Sequence, residues 1–198
     1  QVKVAAGFNI DRTFVPKEGS IALQYGDSGT RYDIRISLIP AGNGREAIHF
    51  RFLTGRSTLK NLEELGMSQA HRRQIEDILN SPTGIVLIGG ITGSGKSSTM
   101  YSIAGALDLD RHVGVSIEDP IETYISGLRQ IEVDYEHELT MHGGLRALLR
   151  MDPDAVFVGE IRDRISAITT ARAGIAGRLV VATLHAPDPA TAIEAMIH

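Results

Sequence analysis

Cysteine is missing from all 198 residues, so this stretch holds neither a disulfide nor a thiolate-bound metal, which suits a reducing compartment. Long apolar runs are missing too. Nothing approaches the roughly 20 residues needed to cross a bilayer, and no signal peptide opens the chain, so the cytoplasm is the expected location. Charge of one sign is also scarce. A formal net charge of -4 sets up no field that would draw in nucleic acid or an anionic membrane. Repeats and low-complexity tracts are absent, and 42% hydrophobic with 22% charged residues is the balance of an ordinary globular protein with a real core. The chain starts at Gln1 with no methionine and reaches His198 inside what reads as a helix, so both ends are expected to be cut.

What is present is concentrated in Ile85 to Thr99, IVLIGGITGSGKSST, an apolar strand that runs through a glycine-rich loop into a helix. Gly90, Gly95, Lys96 and Ser97 fit the phosphate-binding pattern G-x-x-x-x-G-K-[ST]. Glycines let successive backbone N–H groups turn inward where a Cβ would obstruct the phosphate. Lys96 then reaches the β- and γ-phosphates, Ser97 offers its hydroxyl to Mg²⁺, and the helix start adds free amides and a positive dipole end. Gly90, Thr92, Gly93, Ser94, Gly95, Lys96, Ser97 and Ser98 are therefore the expected contacts of a bound ATP with its Mg²⁺. A glycine-rich turn that merely happens to contain Lys and Ser is the simpler alternative, and the strand before it argues against that.

Upstream, Ile34, Ile36 and Leu38 alternate with Arg35 and Ser37, and Ala47 to Leu53 alternates similarly across the turn AGNG. This predicts a hairpin with Arg35 and Arg51 off the buried face. Taken alone, both arginines are most simply solvated strand residues. Leu59 to Asn80 reads as helix in two pieces broken at Gly66, with Ser68 as N-cap of the second. A domain boundary is expected between Leu59 and Gly66, giving an N-terminal domain over 1–62 and a nucleotide domain over 63–198.

Downstream, Val113 to Ile117 reads as a buried strand that delivers Glu118-Asp119-Pro120-Ile121-Glu122 at its carboxyl end, where open α/β sheets keep ligands. AVFVGE is a second apolar strand, ending on Glu160, and RLVVATL a third, ending on His185. Glu160 is placed to polarise an attacking water. The bland roles are a solvated loop for Glu118, a helix cap for Glu160 and a surface imidazole for His185. With Gly159 where such a strand usually carries aspartate, magnesium falls chiefly to Ser97 and to waters tied to nearby carboxylates. Strands near 85, 113, 155 and 179 separated by helices predict an α/β fold with a mostly parallel sheet covered on both faces.

In this order and spacing, GGITGSGKSS, SIEDPIE, LRALLRMDPDAVFVGEIRD and GRLVVATLH resemble the Walker A, acidic, Walker B and histidine boxes of the secretion ATPase superfamily. The motors of type II secretion and type IV pilus assembly are the nearer likeness. QVKVAAGFNI resembles the stretch before that family's P-Q-D-G-R turn, and YDIRISLIPAGNGREAIHFRF its D-x-R-V-S hairpin. The resemblance implies a RecA-like domain preceded by part of a small α+β, PAS-like domain, with the remainder of both domains lying outside this stretch. It implies Glu118 and Glu160 sharing magnesium and water positioning, Glu160 preferred as base, His185 at the γ-phosphate, and Arg35 and Arg51 closing over the nucleotide within or between subunits. It further implies a homo-hexamer at the inner face of the bacterial cytoplasmic membrane, held there by secretion or pilus platform proteins, with no direct nucleic-acid contact. Zero cysteines here leaves open a zinc site in the missing C-terminal region.

Four departures mark a divergent member. Pro16-Lys17-Glu18-Gly19-Ser20 lacks the arginine of the P-Q-D-G-R turn, Gly177-Arg178 replaces Gly-His, Ala186-Pro187-Asp188 replaces Thr-Asn-Asp, and Ile91 stands where proline is common. Two alternatives stay open: a conjugation or DNA-translocation ATPase, and a scaffold that binds ATP without hydrolysing it.

Overall fold

A computed structural model describes residues 2–10, 14–25, 30–53, 59–80, 83–135 and 137–197. The chain divides into two compact units, Gln1–Ser57 and Thr58–His198.

The first unit opens with a short helix α1 (Val2–Ala5), then strands β1 (Lys17–Tyr25), β2 (Thr30–Ala41) and β3 (Arg45–Leu53) in an antiparallel sheet of order β1-β2-β3. The alternation in β2 puts Ile34, Ile36 and Leu38 into a small core with Phe8, as period-two patterning requires. The hairpin turns through Asn43 and Gly44, both left-handed, and its register sets Arg35 opposite Arg51. Val2–Ala5 forms α1, for which the sequence pattern assigned no element. One expectation is corrected. Lys17–Ser20 is the start of β1, hydrogen-bonded against β2, rather than a turn; Gly19 is required there because a Cβ would sit 2.5 Å from the Phe8 ring.

The second unit runs α2 (Gln69–Leu79), β4 (Gly84–Gly89), α3 (Lys96–Ala106), β5 (Gly114–Glu118), β6 (Arg129–Glu132), α4 (Met141–Leu149), β7 (Ala155–Ile161), α5 (Arg164–Ile175), β8 (Leu179–Leu184) and α6 (Pro189–Ile197). Its sheet has the order β4-β8-β7-β5-β6 with every pairing parallel. Continuous apolar strands follow from burial on both faces. Val156 and Val158 face Leu145, Leu148 and Ala167 on one side, while Ala155 and Phe157 face Met100, Ile103 and Ala104 of α3 on the other.

Local signals start three of the helices where they do. Ser68, Thr140 and Asp163 cap α2, α4 and α5 by accepting from the amides of His71, Gly143 and Ser166. Two further expectations change. Residues 62–66 form turns, not a first helical piece: Asn61 and Glu64 exchange the reciprocal bonds of a helix start, and Gly66, left-handed at φ 74°, ends it within about one turn. Strand β6, unforeseen because RQIE is short and polar at three of its four positions, extends the sheet beyond β5.

Candidate active site

All five strands run the same way, so the ends of β4, β5, β7 and β8 open onto one edge of the sheet. The glycine-rich loop leaves β4 there, and its shape depends on glycine at particular points. Gly93 and Gly95 hold φ of 77° and 94°, and a Cβ on Gly90 would lie 2.4 Å from Ser94 Oγ. Lys96 Nζ donates to the carbonyls of Gly90 (2.9 Å) and Ile91 (3.1 Å), which keeps the ammonium over the loop. Gly95 is the N-cap of α3 and supplies no side-chain acceptor, so the leading amides of the helix are left to an anion. Ser97 lies in that first turn, half-buried. The loop fits a nucleotide's phosphates.

At the end of β7 the register with β8 shifts between Val158 and Ile161. Such an irregularity re-aims a side chain beside a site, and here it turns Glu160 to the opening. His185 Nε2, just past β8, stands 2.6 Å from Glu160 Oε1. Arg162 donates through Nε to Glu160 Oε2 and through Nη1 to Asp119 Oδ2 at 2.9 Å, and Tyr135 Oη donates to the same Asp119 oxygen at 3.3 Å. Both oxygens of Glu160 thus have partners. Asp163, not Glu160, caps the following helix; hydrogen bonds from the Ser166 amide and hydroxyl hold its carboxyl below the usual aspartate range.

Glu118 sits differently. It is 1% exposed, and its Oε1 accepts from Ser116 Oγ (2.6 Å) and Gln130 Nε2 (3.0 Å), while its Oε2 accepts from Tyr101 Oη. Burial pushes its carboxyl above the ordinary glutamate value against the lowering effect of those three donors. Gly159 packs over it, since a Cβ there would lie 3.1 Å from Glu118 Cα. The acidic side chain that faces Arg162 from this loop is Asp119, one residue on. Among the described residues no cluster of three or more His, Asp or Glu is placed to hold a metal unaided. A magnesium ion suits the donors present only as magnesium ordinarily binds, on one or two protein oxygens with phosphates and water supplying the rest; the Ser97 hydroxyl and the Glu160 carboxylate are oxygen donors of that kind.

The structure therefore brings Glu160 and His185 into contact and places Glu118 in the interior, against Gly159 and its three donors. Arg35 and Arg51 stand opposite each other on β2 and β3 of the first unit. Sequence reasoning missed Arg162, Asp119, Tyr101 and Gln130 as site residues. Arg162 had a signal, two residues after Glu160 at strand spacing; Gln130 had none, because its position depends on β6 pairing with β5.

A family model described as type II/IV secretion system protein matches residues 1–198. The chain belongs to that family. Type II secretion system protein E of Pseudomonas aeruginosa is 39% identical over the whole of this chain, which covers 39% of that protein. Type II secretion system ATPase E of Vibrio cholerae is 40% identical over 93% of this chain and 36% of its own length. The family member described here thus spans about two fifths of the length of such relatives. Among solved structures, the pilus retraction motor PilT with bound ADP is similar at 30% identity and TM-score 0.66, over 85% of this chain and 48% of that one. The Legionella pneumophila ATPase DotB shares the fold at 24% identity and TM-score 0.71, over 91% of this chain and 51% of its own.

Proposed function

We propose that this chain is the nucleotide-hydrolysing part of a motor for type II secretion or type IV pilus assembly. The observation that carries the reading is the Glu160 carboxylate, shared between His185 and Arg162 at the sheet edge from which the glycine-rich loop departs. ATP binds with its phosphates against the amides of Gly93, Ser94, Gly95 and Lys96 and the lysine ammonium, with Gly90, Thr92 and Ser98 shaping the loop around it. Magnesium, when bound, neutralises charge on the phosphates; Ser97 and Glu160 are the side chains that hold it, directly or through water.

Glu160 orients the attacking water and accepts its proton, and His185 is within hydrogen-bonding distance of the same carboxylate, placed to sense the terminal phosphate. Glu118, enclosed by its three donors, supports the site from the interior. Arg35 and Arg51 close on the nucleotide from the N-terminal unit of the same or a neighbouring subunit of a homo-hexamer, and this closure couples phosphate state to movement. The ring works on the cytoplasmic side of the bacterial inner membrane, attached through platform proteins. No described helix is long and apolar enough to cross a membrane.

The test is ATP turnover by the full-length protein, resolved by oligomeric state, against a Lys96→Ala control. Turnover that rises with ring formation and vanishes in the control is expected. A ring that binds ATP and turns over no faster than Lys96→Ala would point to a scaffold, and salt-dependent retention of DNA to a translocation motor.

A further inference from the structure

Tyr101 lies one turn beyond Lys96 on the helix that follows the phosphate loop, and it is 5% exposed. Its phenol makes two hydrogen bonds, and both leave the helix. It donates to Glu118 Oε2 and accepts from the Glu122 amide at 2.9 Å. Glu118 and Glu122 bracket the loop that carries Asp119, the residue that meets Arg162 and through it Glu160. The rest of the loop is anchored from β6: Gln130 donates to Glu118 Oε1 and to the Thr123 carbonyl and accepts from the Ile125 amide, and Glu132 accepts from the Ile121 amide. Two anchors hold the loop. Those from β6 fix it to the sheet, and the phenol fixes it to the phosphate-binding helix.

We infer that Tyr101 is a positioning residue, transmitting the placement of α3 at the phosphates through Glu118 and the Glu122 amide to the Asp119–Arg162–Glu160 chain. This rests on the hydrolase reading for its consequence in turnover, though not for the connection itself. A phenylalanine at 101 would keep the ring in its place against the sheet and remove only the hydroxyl. It would leave one oxygen of Glu118 and one backbone N–H without their partner, and buried groups left so are loosened or must find water.

The experiment uses hydrogen exchange and turnover of the full-length protein in four forms: wild type, Tyr101→Phe, Glu118→Gln and the double variant. ADP should protect both the glycine-rich loop and residues 119–123 in the wild type. In Tyr101→Phe, protection of the glycine-rich loop should persist while that of 119–123 is lost, and the Glu122 amide should exchange at least tenfold faster even without nucleotide. For turnover, kcat should fall about tenfold with KM for ATP within twofold. The double variant should be no slower than Glu118→Gln, because the two side chains act in series.

Ile103→Val, on the same helix and buried in the core, serves as the control for simple destabilisation and should leave kcat unchanged. Unaltered exchange at 119–123 in Tyr101→Phe would overturn the inference, as would a loss of kcat matched by Ile103→Val. If the wild type shows no turnover above Lys96→Ala, the hydrolase reading fails, while the exchange of the Glu122 amide still decides whether the connection exists.

Discussion

Glu160 has a partner on each carboxylate oxygen, His185 on one and Arg162 on the other, so its orientation at the sheet edge is fixed from both sides. Replacing it with glutamine keeps the shape and removes the charge. Glu160→Gln should bind ATP within about twofold of wild type and lose roughly 10²–10⁴-fold in kcat, the usual worth of a positioned base; equal rates for the two would remove Glu160 from the chemistry. Tyr101 yields a second prediction, about stability. Burial first, and then the charge of Glu118, raise its phenol well above the ordinary tyrosine range. A raised folded value means that the contribution to stability is whole below pH ~10, where the unfolded phenol still holds its proton, and is lost as pH climbs through the folded value. Alkaline unfolding followed by circular dichroism should therefore steepen above pH ~10 in the wild type and lose that component in Tyr101→Phe; identical profiles would contradict the burial argument.

At the scale of elements, the helix α5 illustrates how much a local signal carries. Asp163 accepts from the Ser166 amide at 2.8 Å, and that bond holds its carboxyl low. Asp163→Ala should cost about 1 kcal/mol in denaturant unfolding, as lost N-caps do. The capping contribution is present above the ordinary aspartate value and lost as pH falls through the lowered one, so the difference between variant and wild type should shrink in acid. Helix α4 is governed instead by contact. A Cβ on Gly144 would lie 2.2 Å from Ile117 Cδ1, where α4 presses on β5. Gly144→Ala should therefore destabilise by about 1–3 kcal/mol as an overpacked core does, despite alanine's better helix propensity; a stabilised variant would mean that the helix can move away from the strand. The sequence offered Glu160 as the cap of α5, and the bond from the Ser166 amide gives that role to Asp163. Residue order gave no warning of the crowding at Gly144, because it comes from a strand far away along the chain.

For the whole molecule, the division into two units makes the N-terminal arginines a question of assembly. Arg35 and Arg51 face each other across the β2–β3 pairing. If they reach a nucleotide only when units close, Arg35→Ala and Arg51→Ala should lower turnover about tenfold or more in the assembled ring and leave the slow activity of isolated subunits unchanged; unaltered ring activity would return them to solvated strand positions. The glycine-rich loop, the apolar strands and the acids at their ends were legible from residue order, since backbone freedom, alternation and burial on both faces leave local marks in a sequence. The pairing of Glu160 with His185 was foreshadowed but not stated by any motif. That Glu118 turns inward to Tyr101, Ser116 and Gln130 while Asp119 turns outward to Arg162 was decided only in three dimensions. Neighbouring carboxylates are indistinguishable as letters, and which of them leaves water depends on the donors that a distant helix and an unforeseen edge strand bring to meet it.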